Sequence, residues 1–112
     1  MHLKNWSMIY PDRRIAALAP AYDFVSTIAY LRDEDAALTV SRSKRFDYFS
    51  NDELSHLAAK AMLPERLVLE TARETVELFH RHWQAEKRNL PLSQSVIETI
   101  EDHVRKVPVA SS

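Results

Sequence analysis

None of the 112 residues is glycine. Average usage is about 7%, so a chain of this length ordinarily carries several. Their absence removes one class of chemistry outright, because no Gly-rich loop of the kind that wraps phosphates in backbone N–H groups can be built from these residues. If the chain handles a nucleotide, another segment must cradle its phosphates. Cysteine is absent too, which excludes disulfides and thiolate metal sites and fits a reducing compartment. Fifteen basic and sixteen acidic residues give a formal net charge of -1, no electrostatic footprint for nucleic acid or an anionic membrane surface. No window approaches the roughly 18 apolar residues of a spanning helix, and no charged segment followed by an apolar one opens the chain. The expectation is a cytoplasmic, unprocessed protein with one modest core.

The expected fold is mainly α, with a short N-terminal β-hairpin. Trp6, Met8 and Tyr10 alternate with Ser7 and Ile9 at a strand period, and Pro11-Asp12 supplies a turn before "RIAALAP". "APAYDFVST" reads as a loop turning helical after Asp23, since Pro20 biases Ala19 away from helix. The following stretch is irregular, with a strand expected at 37–41. From Ser50 the signals are helical. Ser50 and Glu53 form a capping box, and Phe49 is placed to staple onto Leu54. That helix should end near Met62. Pro64 suits the first position of a second helix carrying Val68, Ala72, Val76, Phe79 and Trp83 on one stripe. Running to about Arg88, it would be roughly 37 Å long. A third helix starts at Ser93, with Leu92 stapling Ile97, and buries Ile97, Ile100, Val104 and Val107 until Pro108 stops it. The tail "VASS" is expected to fray.

The chemistry concentrates at the start. A dense "HLKN" cluster directly after Met1 looks like the inside of an active site, so the chain reads as the tail of something larger. Asn5 and Asp23 offer an amide and a carboxylate oxygen, donors that suit a hard cation. In kinases the loop H-R-D-x-x-x-x-N holds the base Asp and a metal-binding Asn, and a later Asp also holds metal. With Asn5 as the loop Asn, that base would fall one residue before Met1.

"HLKNWSMIY", "LAPAYDFVSTIAY", "KRFDYFSNDELSHLA" and "LPERLVLETARETVELFHRHW" resemble, in that order, the C-terminal portion of the HipA-like serine/threonine kinase toxins of bacterial toxin–antitoxin modules. That family carries a G-N-x-D-x-H-x-K-N loop and an S/A-P-x-Y-D segment. His2, Lys4 and Asn5 match the end of the first motif; Pro20, Tyr22 and Asp23 match the second. The resemblance covers essentially the whole chain and implies a helical C-lobe of a protein-kinase-like fold, with residues 1–30 holding the loop end and metal segment and 50–107 a helical subdomain. It implies Mg²⁺ and ATP as cofactors of the intact family. Asn5 and Asp23 would bind the metal and the nucleotide, His2 would approach the transferred phosphate, and Lys4 would support the loop. The loop's Gly-Asn and Asp, the ATP-gripping N-lobe and its lysine are missing, so this chain alone should bind Mg-ATP weakly and transfer no phosphate. The implied partners are the missing kinase half or a HipB-like helix-turn-helix antitoxin, and apolar groups bared at Trp6, Ile9 and Tyr10 point to self-association. A stand-alone helical interaction module is the competing reading.

Simpler roles compete at each position. Asn5 and Asp23 alone could cap loops. His80 and His82, two apart on a helix, point to different sides and cannot share a zinc ion in the usual way. His56 and His103 read as solvated helix residues, Phe79 and Trp83 as core, and "SRSKR" as a solvated turn. Ser41 and Ser43 are expected to lack any adjacent base, so neither reads as a nucleophile.

Overall fold

The computed structural model describes residues 3–22, 26–31 and 35–111. A 3-10 turn at Leu3–Asn5 leads into strand β1 (Met8–Ile9), which pairs antiparallel with β2 (Ala17–Leu18), Met8 opposite Leu18 and Ile9 opposite Ala17. The turn between them closes where the Arg13 amide donates to the Tyr10 carbonyl at 3.0 Å and the Asp12 carboxylate accepts from the Arg14 and Ile15 amides at 2.9 and 2.8 Å. Those two amides hold the Asp12 carboxyl below its ordinary range. Arg13 sits at φ 61°, a left-handed position that glycine would fill in most chains.

After the hairpin the chain is irregular, as expected. The start of the helix expected after Asp23 lies outside the described residues, and among those described a single turn at 27–31 closes with the Tyr30 and Leu31 amides on the Thr27 carbonyl. No strand forms at 37–41. An isolated bridge pairs Asp35 with Arg45 instead, and the Ala36 amide donates to the Lys44 carbonyl at 2.6 Å, so the β-branched run lies inside the loop that this bridge closes.

The helices follow their caps. Helix α1 (Asn51–Ala61) starts at Ser50, whose hydroxyl accepts from the Glu53 amide at 3.5 Å. It ends in a Schellman arrangement: Leu63 N–H bonds to Ala58 O at 2.8 Å and Met62 N–H to Ala59 O at 3.2 Å, with Met62 left-handed at φ 56°, ψ 38°. Helix α2 (Glu65–Glu86) is preceded by Pro64 at ψ 119°, still extended, so proline stands one position earlier than expected. Its 22 residues span about 33 Å, shorter than the expected 37 Å. Helix α3 (Gln94–Lys106) is capped by the Ser93 hydroxyl, which accepts from the Val96 amide at 3.4 Å. Val107, held extended before Pro108, breaks the helix as expected.

The tail departs from expectation. Pro108–Ser111 forms a short helix, α4, tied down because Val109 donates to the Phe49 carbonyl at 3.0 Å and His80 Nε2 contacts the Ala110 carbonyl at 2.8 Å. The end of the chain therefore returns to the start of α1 and to the middle of α2. Leu54, Ala58 and Val107 form the buried apolar core among the described residues. The expected stripe of α2 is half-buried at Val68, Ala72, Val76 and Trp83, but Phe79 is 40% exposed and belongs to the surface rather than the core. At the far end, Glu101 of α3 accepts from the Lys87 ammonium at 2.7 Å and the Trp83 indole N–H at 3.2 Å, which together lower its pKa. No helix among the described residues is long and apolar enough to cross a membrane.

Candidate functional site

The hairpin brings together residues that lie far apart in sequence. β1 leaves the 3-10 turn carrying Lys4 and Asn5; β2 returns beside it, its pairing extended by the Ala19 amide on the Ser7 carbonyl at 2.9 Å. The segment Pro20–Tyr22 is thereby delivered back to the turn, and the Tyr22 hydroxyl donates to the Lys4 carbonyl at 2.8 Å. Two segments eighteen residues apart in sequence are thus joined by a hydrogen bond among the described residues. Because that bond is exposed, it contributes only about 0.5–1.5 kcal/mol, and the approach rests mainly on the strand pairing behind it.

Of the four residues singled out by sequence, Lys4 and Asn5 are described, while His2 and Asp23 lie outside the described residues. Lys4 is exposed and Asn5 half-buried. Lys4 takes part in the motif junction through its backbone carbonyl, and its ammonium makes no ion pair among the described residues. The oxygen donors of Asn5 and Asp23 fit Mg²⁺ chemically, since that ion takes few protein ligands and keeps water and phosphate oxygens. Among the described residues no three His, Asp or Glu side chains converge to hold a metal by themselves.

A second cluster corrects the sequence reading. Ser41, expected to have no adjacent base, is 7% exposed and its hydroxyl lies 2.6 Å from His56 Nδ1. His56 is accordingly half-buried on α1 rather than solvated. Glu53, one turn earlier on the same face, accepts from the Arg42 amide at 3.1 Å and Arg42 Nε at 2.7 Å, while the Arg42 guanidinium also pairs with Asp52. The Arg42 amide first, then its guanidinium, hold the Glu53 carboxyl below its ordinary range, with a smaller contribution from the Ser41 hydroxyl. Buried against His56, Ser41 clasps the loop to α1. "SRSKR" is thus a docked loop, not a free turn. The signal was the Glu53/His56 spacing on one helix face, facing a Ser-Arg pair.

His103, also expected to be solvated, is half-buried and meets the Phe46 ring edge-on at 5.0 Å. It lines a 560 Å³ cavity with Ile28, Phe46, Asp47, Thr99, Asp102 and Lys106. Asp47 and Asp102 are neutralised there by Arg45 and Arg105.

The chain belongs to the HipA-like C-terminal domain family, whose sequence model matches residues 1–83. It is 60% identical over 108 residues to "Putative kinase Y4dM" of Sinorhizobium fredii, an alignment covering 96% of this chain and 26% of that protein. The chain therefore spans about a quarter of the length of that relative. No solved structure shows significant similarity to it.

Proposed function

We propose that these residues form the metal-side, C-terminal portion of a HipA-like serine/threonine protein kinase, and that the 112-residue chain by itself transfers no phosphate. The observation that supports this most directly is the Tyr22–Lys4 bond, which joins the two family motifs around Asn5. Asn5 and Asp23 supply the metal ligands, His2 faces the transferred phosphate, and Lys4 anchors the loop. Held by Asn5 and Asp23, Mg²⁺ would supply positive charge against the negative charge that develops in phosphoryl transfer. The segment contributes neither the base that accepts the hydroxyl proton nor a phosphate-wrapping loop, so ATP affinity and activity depend on the kinase half. Within a toxin–antitoxin module, that half and a helix-turn-helix antitoxin are its protein partners, and the setting is cytoplasmic.

Calorimetry on the purified chain tests the metal assignment. Mg²⁺ affinity is expected in the millimolar range or weaker, as two protein oxygens leave most of the octahedral shell to water. Asp23→Ala should abolish binding and Asn5→Ala weaken it. Tyr22→Phe should weaken it about threefold, the loss of one exposed hydrogen bond. Micromolar Mg²⁺ binding would show a site complete without the other half, and indifference to Asp23→Ala would remove the assignment.

A second reading, a stand-alone interaction module docking onto a kinase or antitoxin, draws on the exposure of Trp6, Met8, Tyr10 and Leu18 around the hairpin. It predicts the same docking but no Asp23-dependent metal binding.

A further inference from the structure

The outer face of α2 carries a groove unrelated to the motif junction. Leu78, His82 and Glu86 follow one another at four-residue steps, and Leu90 continues the series because its amide still bonds to the Glu86 carbonyl at 3.2 Å. The stripe runs about 18 Å along the helix axis. Phe79 and Trp83, stacked with centroids 6.1 Å apart, wall one side. Leu78, Phe79 and Leu90 are 37%, 40% and 43% exposed, so the face is apolar and uncovered within the chain. Neither His82 nor Glu86 makes an ion pair among the described residues, and Glu86 accepts a long 3.4 Å bond from the Asn89 side-chain amide on one carboxylate oxygen.

The order of these four groups is self-complementary under reversal. Set against an antiparallel copy, with the twofold axis level with Gln84, Leu78 faces Leu90 of the second helix and His82 faces Glu86. Every contact then occurs twice, the condition an isologous interface must meet. Imidazole N–H donating to carboxylate flanks a leucine pair at each end, and no like charges meet. We propose that the chain forms an antiparallel homodimer through this stripe of α2, the occupant of the groove being the same groove on a second copy. The buried stripe is short, so the association is a weak and reversible one.

Sedimentation velocity on the full chain, over a wide concentration range, tests this. Wild type is expected to shift from monomer to dimer with concentration. Leu78→Asp should weaken the dimer at least tenfold, as should His82→Glu, which opposes two carboxylates across the axis. Combining His82→Glu with Glu86→His exchanges the partners and should restore most of the affinity, an outcome that simple misfolding cannot produce. Tyr10→Ser, on the hairpin, should leave the dimer intact. A chain that stays monomeric throughout, a dimer indifferent to Leu78→Asp, or an exchange pair no tighter than the single variant would each overturn the proposal.

Discussion

Two residues show what a chain without glycine must do instead. Met62 closes the Schellman turn of α1 in the left-handed region, with its side chain 91% exposed and therefore contributing little packing. A β-carbon there costs roughly 1–2 kcal/mol relative to the right-handed form, a cost glycine escapes. Met62→Gly should therefore stabilise the chain by about 0.5–1 kcal/mol, after allowing for the larger freedom of glycine in the unfolded state. Urea unfolding measures it, and an unchanged or lower midpoint would mean the methionine is held by something other than the turn. Glu53 supports a second expectation at this scale. Its carboxyl titrates lower in the folded chain than its ordinary value of 4.5, so its contribution is present above that value and is lost as pH falls through the lower, folded one. Glu53→Gln should flatten the acid limb of the stability curve below about pH 4.5 and leave its neutral-to-basic limb unchanged in slope. Stability measured by denaturant from pH 3 to 7, roughly the span of the carboxylate titrations, decides it. Met62 was legible as the end of α1, but the partner of Glu53 was not, because Arg42 reaches it across 11 positions of irregular chain and sequence periodicity carries no information about such loops.

At the level of elements, what the sequence shows and what it hides divide by range. The starts of α1 and α3 were legible in Ser50 and Ser93 because a cap is a bond between residues three apart. The hairpin was legible in the alternation before Pro11-Asp12. Hidden were the contacts that tie elements together: Ser41 on His56, His80 on Ala110, Val109 on Phe49. They made a docked loop and a docked tail out of segments that local pattern reads as free. Of the candidate site, the two motif segments could be picked out in the sequence, but the Tyr22–Lys4 bond between them needed the hairpin register, and His2 and Asp23 lie outside the described residues. The hairpin itself is two residues per strand, exposed on both strands, and has no third strand among the described residues. Isolated two-stranded pairs are marginal in water. Hydrogen exchange should therefore be fast across residues 7–19 and slow in α1 and α2, with the Val109 amide protected through its bond to Phe49. Protection across the hairpin equal to that of α2 in dilute monomer would mean that it has a core of its own.

The whole molecule exposes more than a folded monomer of its mass should. A 13.0 kDa protein is expected to present about 6,300 Å², and this chain presents 8987 Å². Its radius of gyration is 15.8 Å, where about 13 Å is typical of a domain this long. No large side chain is fully buried among the described residues, and a 350 Å³ space bounded by Asn51, Leu69, Val76 and Val109 lies open where α1, α2 and α4 meet. A fold that removes so little apolar surface from water has little to set against the entropy of ordering its backbone. The relative it matches is about four times as long. The expected consequence is thermodynamic. Alone, the chain should unfold in urea with a shallow slope, below that of a compact protein of its length, because the slope follows the surface newly exposed. Leu54→Ala, which removes a side chain from the small core that exists, should cost about 2–4 kcal/mol and leave the isolated chain largely unfolded. Fused behind the kinase half of a HipA-like relative, the same segment should unfold cooperatively with it, and Leu54→Ala should lower one shared transition instead of removing a separate one. Two resolved transitions in the fusion, with the segment's own midpoint unchanged, would show that its exposed surface is not what the kinase half covers.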